Sequence, residues 1–171
     1  MSEHGRKSAS NQPLEIGVLG AKDAGELLTL QRAVYVTEAA AYNDFGMPPL
    51  TQTLADLSTE LASPDVTALG LRDGGRLVAA VRLRLTGTTV ELGRLIVAPD
   101  RQGQGLGTRL LRYAESVFPE ALQIRLFTGE HSSSNINLYT REGYSETERT
   151  SAGNYQLVHF AKQLPRESPS T

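Results

Sequence analysis

The chain has no cysteine, no tryptophan and only three histidines among its 171 residues. Without cysteine there is no disulfide, no thiol nucleophile and no covalent thiol carrier, which fits a reducing cytoplasm. No His, Asp and Glu cluster has metal-ligand spacing, so no metal is expected, and no Ser-His-Asp order is supported. No apolar run approaches the ~18 residues of a membrane span. Met1 to Ser10 also lacks the apolar region of a secretory signal. The formal net charge is −2 with no basic block. Nucleic acid and membrane are therefore poor candidates for partners.

What is present suits one domain. The hydrophobic content is 39%, enough for a single core. Residues 13–164 read as that domain, with disordered tails expected at 1–12 and 165–171. Leu14 to Leu19 alternates as a strand. Leu27, Leu30 and Val34 form a helical stripe within Asp23 to Ala41, with Asp23 and Glu26 in capping-box positions. Tyr42 to Pro49 is a loop by its glycine and prolines, and a second helix runs from Thr53 to Ala62. Val66–Leu71 and Arg76–Leu85 flank the hairpin signal Asp73-Gly-Gly75. The latter strand is expected to put Leu77, Ala79, Val81, Leu83 and Leu85 on one face, with Arg82 and Arg84 on the other. Thr89–Val97 follows, then a helix from Gly105 to Val117 and a strand from Leu122 to Thr128. A short helix at Ser132–Glu142 and two closing strands, Tyr144–Thr150 and Tyr155–Ala161, complete an α+β order. The strand at Leu122 should lie parallel to the one ending at Val97, through a right-handed crossover.

Leu92-Gly-Arg-Leu-Ile-Val-Ala-Pro-Asp-Arg-Gln-Gly-Gln-Gly-Leu-Gly-Thr-Arg-Leu-Leu111 organises the rest. An apolar strand runs into Pro99, then glycines alternate at 103, 105 and 107, then a helix begins. Glycines let backbone N–H groups approach a ligand, and a helix start favours an anion. The pattern points to phosphate or pyrophosphate. A nucleotide-triphosphate loop would need Lys after the last glycine, and a dinucleotide turn would need G-x-G-x-x-G; neither fits. A glycine turn without ligand is the bland alternative.

Gln102-Gly-Gln-Gly-Leu-Gly107 resembles the Q/R-x-x-G-x-G/A signature of the GNAT superfamily of acyl-CoA-dependent N-acetyltransferases. Asn135-Ile-Asn-Leu-Tyr-Thr-Arg-Glu-Gly-Tyr144 is similar to the family's later helix, and the element order matches over residues 14–163. The resemblance implies a mixed, mainly antiparallel sheet of about seven strands with about four helices, splayed at a coenzyme A cleft. It implies acetyl-CoA as co-substrate. Amides of Gln102, Gly103, Gln104, Gly105, Leu106, Gly107 and Thr108 would hold the pyrophosphate, and the pantetheine arm would lie along Leu95, Ile96 and Val97. Such a strand carries a β-bulge, and Gly93 is compatible with one. Where the family commonly has Asn this chain has Ser132, and Asn135 is the other polar candidate; both also suit helix capping.

The implied chemistry is direct attack of a primary amine of a small molecule or peptide on the thioester. At pH 7 a lysine-like amine costs ~4–5 kcal/mol to deprotonate and an α-amine ~1 kcal/mol. Glu91, read as sharing a strand face with positions 93, 95 and 97, is the candidate general base, or else an exposed strand glutamate. Tyr139 is the candidate general acid for the leaving thiolate, or else a core aromatic. Acceptor contacts are expected from Tyr42, Phe45, Arg94 and Tyr155, with Glu38, Asn43, Asp44, Met47, Arg82, Arg84 and His159 as further wall candidates. A homodimer is compatible with the sequence, which does not itself reveal the oligomeric state. A non-catalytic acyl-CoA-binding or regulatory module, or transfer of a longer acyl group, would use the same motifs.

Overall fold

The computed structural model describes residues 13–165. The expected tails at 1–12 and 165–171 lie outside those residues, apart from Pro165. Seven strands form one sheet: β1 (Leu14–Leu19), β2 (Thr67–Asp73), β3 (Arg76–Thr86), β4 (Thr89–Val97), β5 (Gln123–Gly129), β6 (Ser145–Ala152) and β7 (Tyr155–Gln163). The helices are α1 (Ala24–Tyr42), α2 (Pro48–Thr51), α3 (Leu54–Ala62), α4 (Leu106–Ala114) and α5 (Ser133–Arg141). Helix α2 is a single turn that begins at the end of the expected loop and runs past it, started by Pro48 and Pro49, whose ring-fixed φ suits a first helical turn.

Capping explains where two helices begin. Thr53 and Asp56 form a reciprocal box at the start of α3. The box expected at α1 does not form: Asp23 Oδ2 accepts from the Gly20 amide at 2.8 Å instead. Glu26 is also engaged elsewhere, accepting from the Leu77 amide at 2.8 Å and from Arg72 at 2.9 Å. A tertiary partner outcompeted the local one.

The strand order is β1-β2-β3-β4-β5-β7-β6. All neighbours are antiparallel except β4 and β5, the expected parallel pair. That pair touches only through Thr89, Val90 and Glu91, while β5 stays paired with β7 along its whole length. The sheet therefore opens beyond Glu91 and leaves one edge of β4 without a strand partner.

Both faces of the sheet are covered. Leu106, Leu110, Leu111 and Ala114 of α4 pack on the Val81, Leu83, Val90 and Leu92 face. Leu27, Leu28 and Leu30 of α1, with Leu57 and Leu61 of α3, pack on the other against Ala80 and Ile96. Each fully buried leucine contributes roughly 1.5–3 kcal/mol. Two bulges correct the strand faces. A register shift at Leu71–Arg72 opposite Val78 puts Leu77 on the α1 face with Ala80, not with Ala79 and Val81. A second shift makes Arg82 pair with Gly93 but Ala80 with Ile96, so Arg94 and Leu95 together oppose Val81. Glu91 and Gly93 thus share a face with Ile96, whereas Leu95 and Val97 pack on the α4 side.

Candidate active site

The glycine turn is open to a ligand. Gly103 and Gly105 have φ of 74° and 77°, a region that side chains with a Cβ rarely adopt. A Cβ on either would meet nothing within 4 Å. Gly105 is the N-cap of α4 and offers no side chain, so no side-chain cap covers the first amides of the helix. These amides face a groove of about 530 Å³ between the turn, Leu95–Val97 of β4 and α5. Gln102 Nε2 donates to the Val97 carbonyl at 3.3 Å and ties the turn to the strand. Gln104 lies on the exposed side, where its Oε1 accepts from Arg101 at 2.9 Å. Arg101 and Arg141 line the groove wall as well, the former with its guanidinium paired to Asp73 at 2.7 Å. The donor set, free amides at a helix start with two cations beside them, fits a pyrophosphate. Asn135 lines the same groove and donates to Thr128 Oγ1 at 3.3 Å.

The groove continues along the free edge of β4. Val34, Leu95, Ile96, Gln102 and Ser134 line both it and a second recess of about 380 Å³. There Ser132 Oγ donates to Glu38 Oε1 at 2.9 Å and bonds the Tyr42 hydroxyl at 3.1 Å. Ser132 starts α5 but makes no side-chain cap; its hydroxyl serves this cluster instead. Tyr139 is buried in the core, with its ring against Tyr144 and Phe160. Burial raises its pKa, and Tyr35 and Glu38 nearby add to the rise. Among the described residues the Tyr139 hydroxyl makes no side-chain hydrogen bond and keeps only a sliver of exposure, and Tyr139 is not among the residues that line the groove or this recess. Tyr35 is likewise held well above the ordinary phenol range, by burial first.

A third recess of about 430 Å³ shares Tyr35, Glu38 and Tyr42 with the second. Three of the four expected acceptor contacts meet here: Tyr42, Arg94 and Tyr155. Phe45 does not join them and is exposed. Asn43 caps α1 in a left-handed conformation with φ of 50°, and the chain reverses there. Tyr42 and Met47 on either side turn inward and pack together. The Tyr155 hydroxyl donates to Asp44 at 3.1 Å, and its ring lies 4.4 Å from that of Tyr42. Arg82 is buried and paired with Glu60, not pointed at a ligand. Glu91 and Arg84 lie in an outer recess that shares Leu92, Gly93, Arg94 and Phe127 with the third one. His159 is bonded to Thr150 at 2.8 Å on the β6 side.

The bulge is where a strand with an open edge was expected to carry one, but the left-handed residue is Arg94, with φ of 50°, rather than Gly93. Sequence reasoning missed Tyr35, Arg101 and Arg141. Arg101 sits one residue before the signature glutamine, and Arg141 lies two after Tyr139, so a search for cations flanking the two motifs finds both. Tyr35 carries no comparable signal; only packing brings it to the cleft. Among the described residues no helix is long and apolar enough to cross a membrane, and no group of three metal-ligating side chains converges.

Comparison with known proteins agrees with this geometry. Over 143 residues the chain is 27% identical to the UPF0157 protein YqkA of Bacillus subtilis, covering 84% of this chain and 40% of that protein. It is 34% identical over 109 residues to the N-alpha-acetyltransferase RimI of Mycobacterium tuberculosis, 61% of this chain and 62% of that one. The chain thus spans less than two thirds of the length of either relative. Its fold matches that of the PaiA N-acetyltransferase of Thermoplasma acidophilum, solved with coenzyme A, with a TM-score of 0.72 at 20% identity over 86% of this chain and 98% of that one. Residues 32–144 match the Acetyltransferase (GNAT) family, and they span β4, the glycine turn, α4 and α5 that build the groove; the chain belongs to that family.

Proposed function

We propose that the protein is an acetyl-CoA-dependent N-acetyltransferase acting by direct attack of a primary amine of a small molecule or peptide. The observation that carries this is the continuous path from the open glycine turn, along the unpaired edge of β4, to the Glu38–Ser132–Tyr42 cluster and the third recess. The free edge of β4 offers backbone groups to the amides of a pantetheine arm, as an added strand would. Leu95, Ile96 and Val97 supply that edge. Gly103 to Thr108, with Arg101 and Arg141, take the phosphates, and Ser132 and Asn135 supply polar contacts between the two. The cysteine-free composition supports a cytoplasmic setting.

The neutral amine nitrogen attacks the thioester carbon, the carbon–sulfur bond breaks, and the sulfur leaves as thiolate. Tyr139 donates toward that thiolate. Burial holds its phenol protonated, so it can act only as a donor. The amine must lose one proton before attack and one after. Glu91 is the base proposed for this from the sequence, acting through water from the outer recess. Glu38 is favoured as a second reading by one observation: it lines both the coenzyme side and the acceptor side.

Two measurements test this. Calorimetric titration with coenzyme A is expected to show binding, and its absence sinks the proposal. Thiol release from acetyl-CoA across an amine panel is expected to show turnover; binding without turnover on any amine would make the protein a non-catalytic module. Glu91→Gln and Glu38→Gln separate the bases, since the true base loses about 10²–10⁴-fold in rate and the acidic limb of its pH profile.

A further inference from the structure

Acetyl transfer alone leaves Arg94 unexplained. Its left-handed bulge conformation carries a steric cost for a residue with a Cβ. The bulge lifts Arg94 out of the regular ladder with β3 and brings it to the wall of the third recess. There Nη1 donates to Gln52 Oε1. That same neutral oxygen accepts from Gln31 Nε2 at 3.2 Å and from Arg82 Nη1 at 3.4 Å. Three donors therefore converge on one amide oxygen. Behind it Arg82, whose side chain is 8% exposed, pairs with Glu60 at 3.1 Å. Arg82 takes that carboxylate, and among the described residues Arg94 makes no ion pair. Burial lowers the pKa of Arg82, Glu60 works against that fall, and the charge of Arg94 adds to it.

The recess is polarised along its length. Glu38 belongs to the coenzyme side as well, so its carboxylate marks the end near the thioester. Arg94 belongs to the outer recess as well, so its guanidinium marks the far end. Between them the wall is apolar: Met47, Pro48, Leu92, Phe127 and Leu157. Phe127 is 58% exposed and available to cover a ligand.

Resting on the acetyltransferase reading, we propose that the acceptor is an amino carboxylate with an apolar body. Its amine lies toward Glu38, its carboxylate forks onto Arg94, and its body fills the apolar wall. A guanidinium fork matches a carboxylate in two parallel hydrogen bonds. A carboxylate held there completes the charge that Glu60 leaves unmatched.

The test measures thiol release from acetyl-CoA with matched acceptors: L-phenylalanine against phenethylamine, and 6-aminohexanoate against hexylamine. The first pair reports a short amine-to-carboxylate span and the second a long one. In one pair kcat/KM is expected to favour the carboxylate by about 10–100-fold, the worth of a charged hydrogen-bonded pair. Arg94→Gln should collapse that ratio to near one, Arg94→Lys should keep part of it, and Arg94→Glu should turn preference toward 1,6-diaminohexane. Equal rates within both pairs, or a ratio that survives Arg94→Gln, overturn the proposal. Calorimetric binding of N-acetylphenylalanine against N-acetylphenethylamine, and of 6-acetamidohexanoate against N-hexylacetamide, needs no turnover. It reports on Arg94 even where the transfer reading fails, and equal affinities within both pairs also overturn the proposal.

Discussion

Replacing Gly129 by alanine tests how the acceptor side of the cleft is held together. Gly129 ends β5 where the sheet has opened, and the Tyr42 ring lies directly on it. A Cβ built at this position falls 2.1 Å from the Tyr42 hydroxyl oxygen and 2.5 Å from Cζ. Among the described residues nothing else comes as close to it, so the tyrosine ring must shift out of its place. With it go the bond from the His131 amide at 2.9 Å and the bond to Ser132 at 3.1 Å. The ring contacts with Tyr155 at 4.4 Å and His131 at 5.5 Å go too. Two hydrogen bonds at about 1 kcal/mol each, and two aromatic contacts at about 0.5–1.5 kcal/mol each, put the loss near 3–5 kcal/mol. Alanine in a strand otherwise gains about 0.5–1 kcal/mol over glycine, so the expected sign is opposite to the intrinsic one. Urea unfolding reads the stability, and the acceptor KM reads the wall. In a Tyr42→Ala background the clash partner is gone, so adding Gly129→Ala should cost nothing or stabilise. Equal destabilisation in both backgrounds would refute the packing argument.

Three further outcomes follow from the same geometry. Tyr139→Phe should lower kcat by about 10²-fold or more while leaving urea stability nearly unchanged, because its hydroxyl has no partner to lose among the described residues; an unchanged rate removes the acid role. Glu60→Gln strands the buried Arg82 charge and should cost about 3 kcal/mol in unfolding free energy; a variant as stable as the parent would show that water compensates Arg82. For Glu26, burial works to raise the carboxyl, but the Leu77 amide and Arg72 outweigh it and hold it below the ordinary range. A lowered folded pKa stabilises above the unfolded value of ~4.3 and is lost as pH falls through the folded one. The urea midpoint should therefore drop more steeply below pH ~4.5 in the parent than in Glu26→Gln, and parallel curves would show the opposite.

Much was readable because it is local. Alternating apolar residues gave the strands, the glycine turn before Leu106 gave an open helix start, and Asp73-Gly-Gly75 gave the β2–β3 hairpin. Helix α3 began where its own Thr53 and Asp56 could close a box. The α1 box failed because Glu26 found a backbone amide 51 residues away. The strand faces failed at Val78 and Arg94 for a related reason: one extra residue inverts every side chain beyond it, and no residue type announces the insertion. Phe45 and Tyr42 are three positions apart, and only the left-handed cap at Asn43 decided which of them faces the acceptor.

The sequence by itself determined the elements on which the proposed donor side rests: an apolar strand, a turn of alternating glycines, a helix and, after Gly107, a tyrosine in a second motif. Those are chain-local, because a helix start and an open turn carry their anion site wherever they are placed. The acceptor side was decided only in three dimensions. It joins α1, the α2 turn, the β4 bulge and β7, and its charge rests on Arg94, Arg82 and Glu60 drawn together from three elements. No spacing along a chain encodes that sum, since it depends on where a sheet opens and which carboxylates arrive.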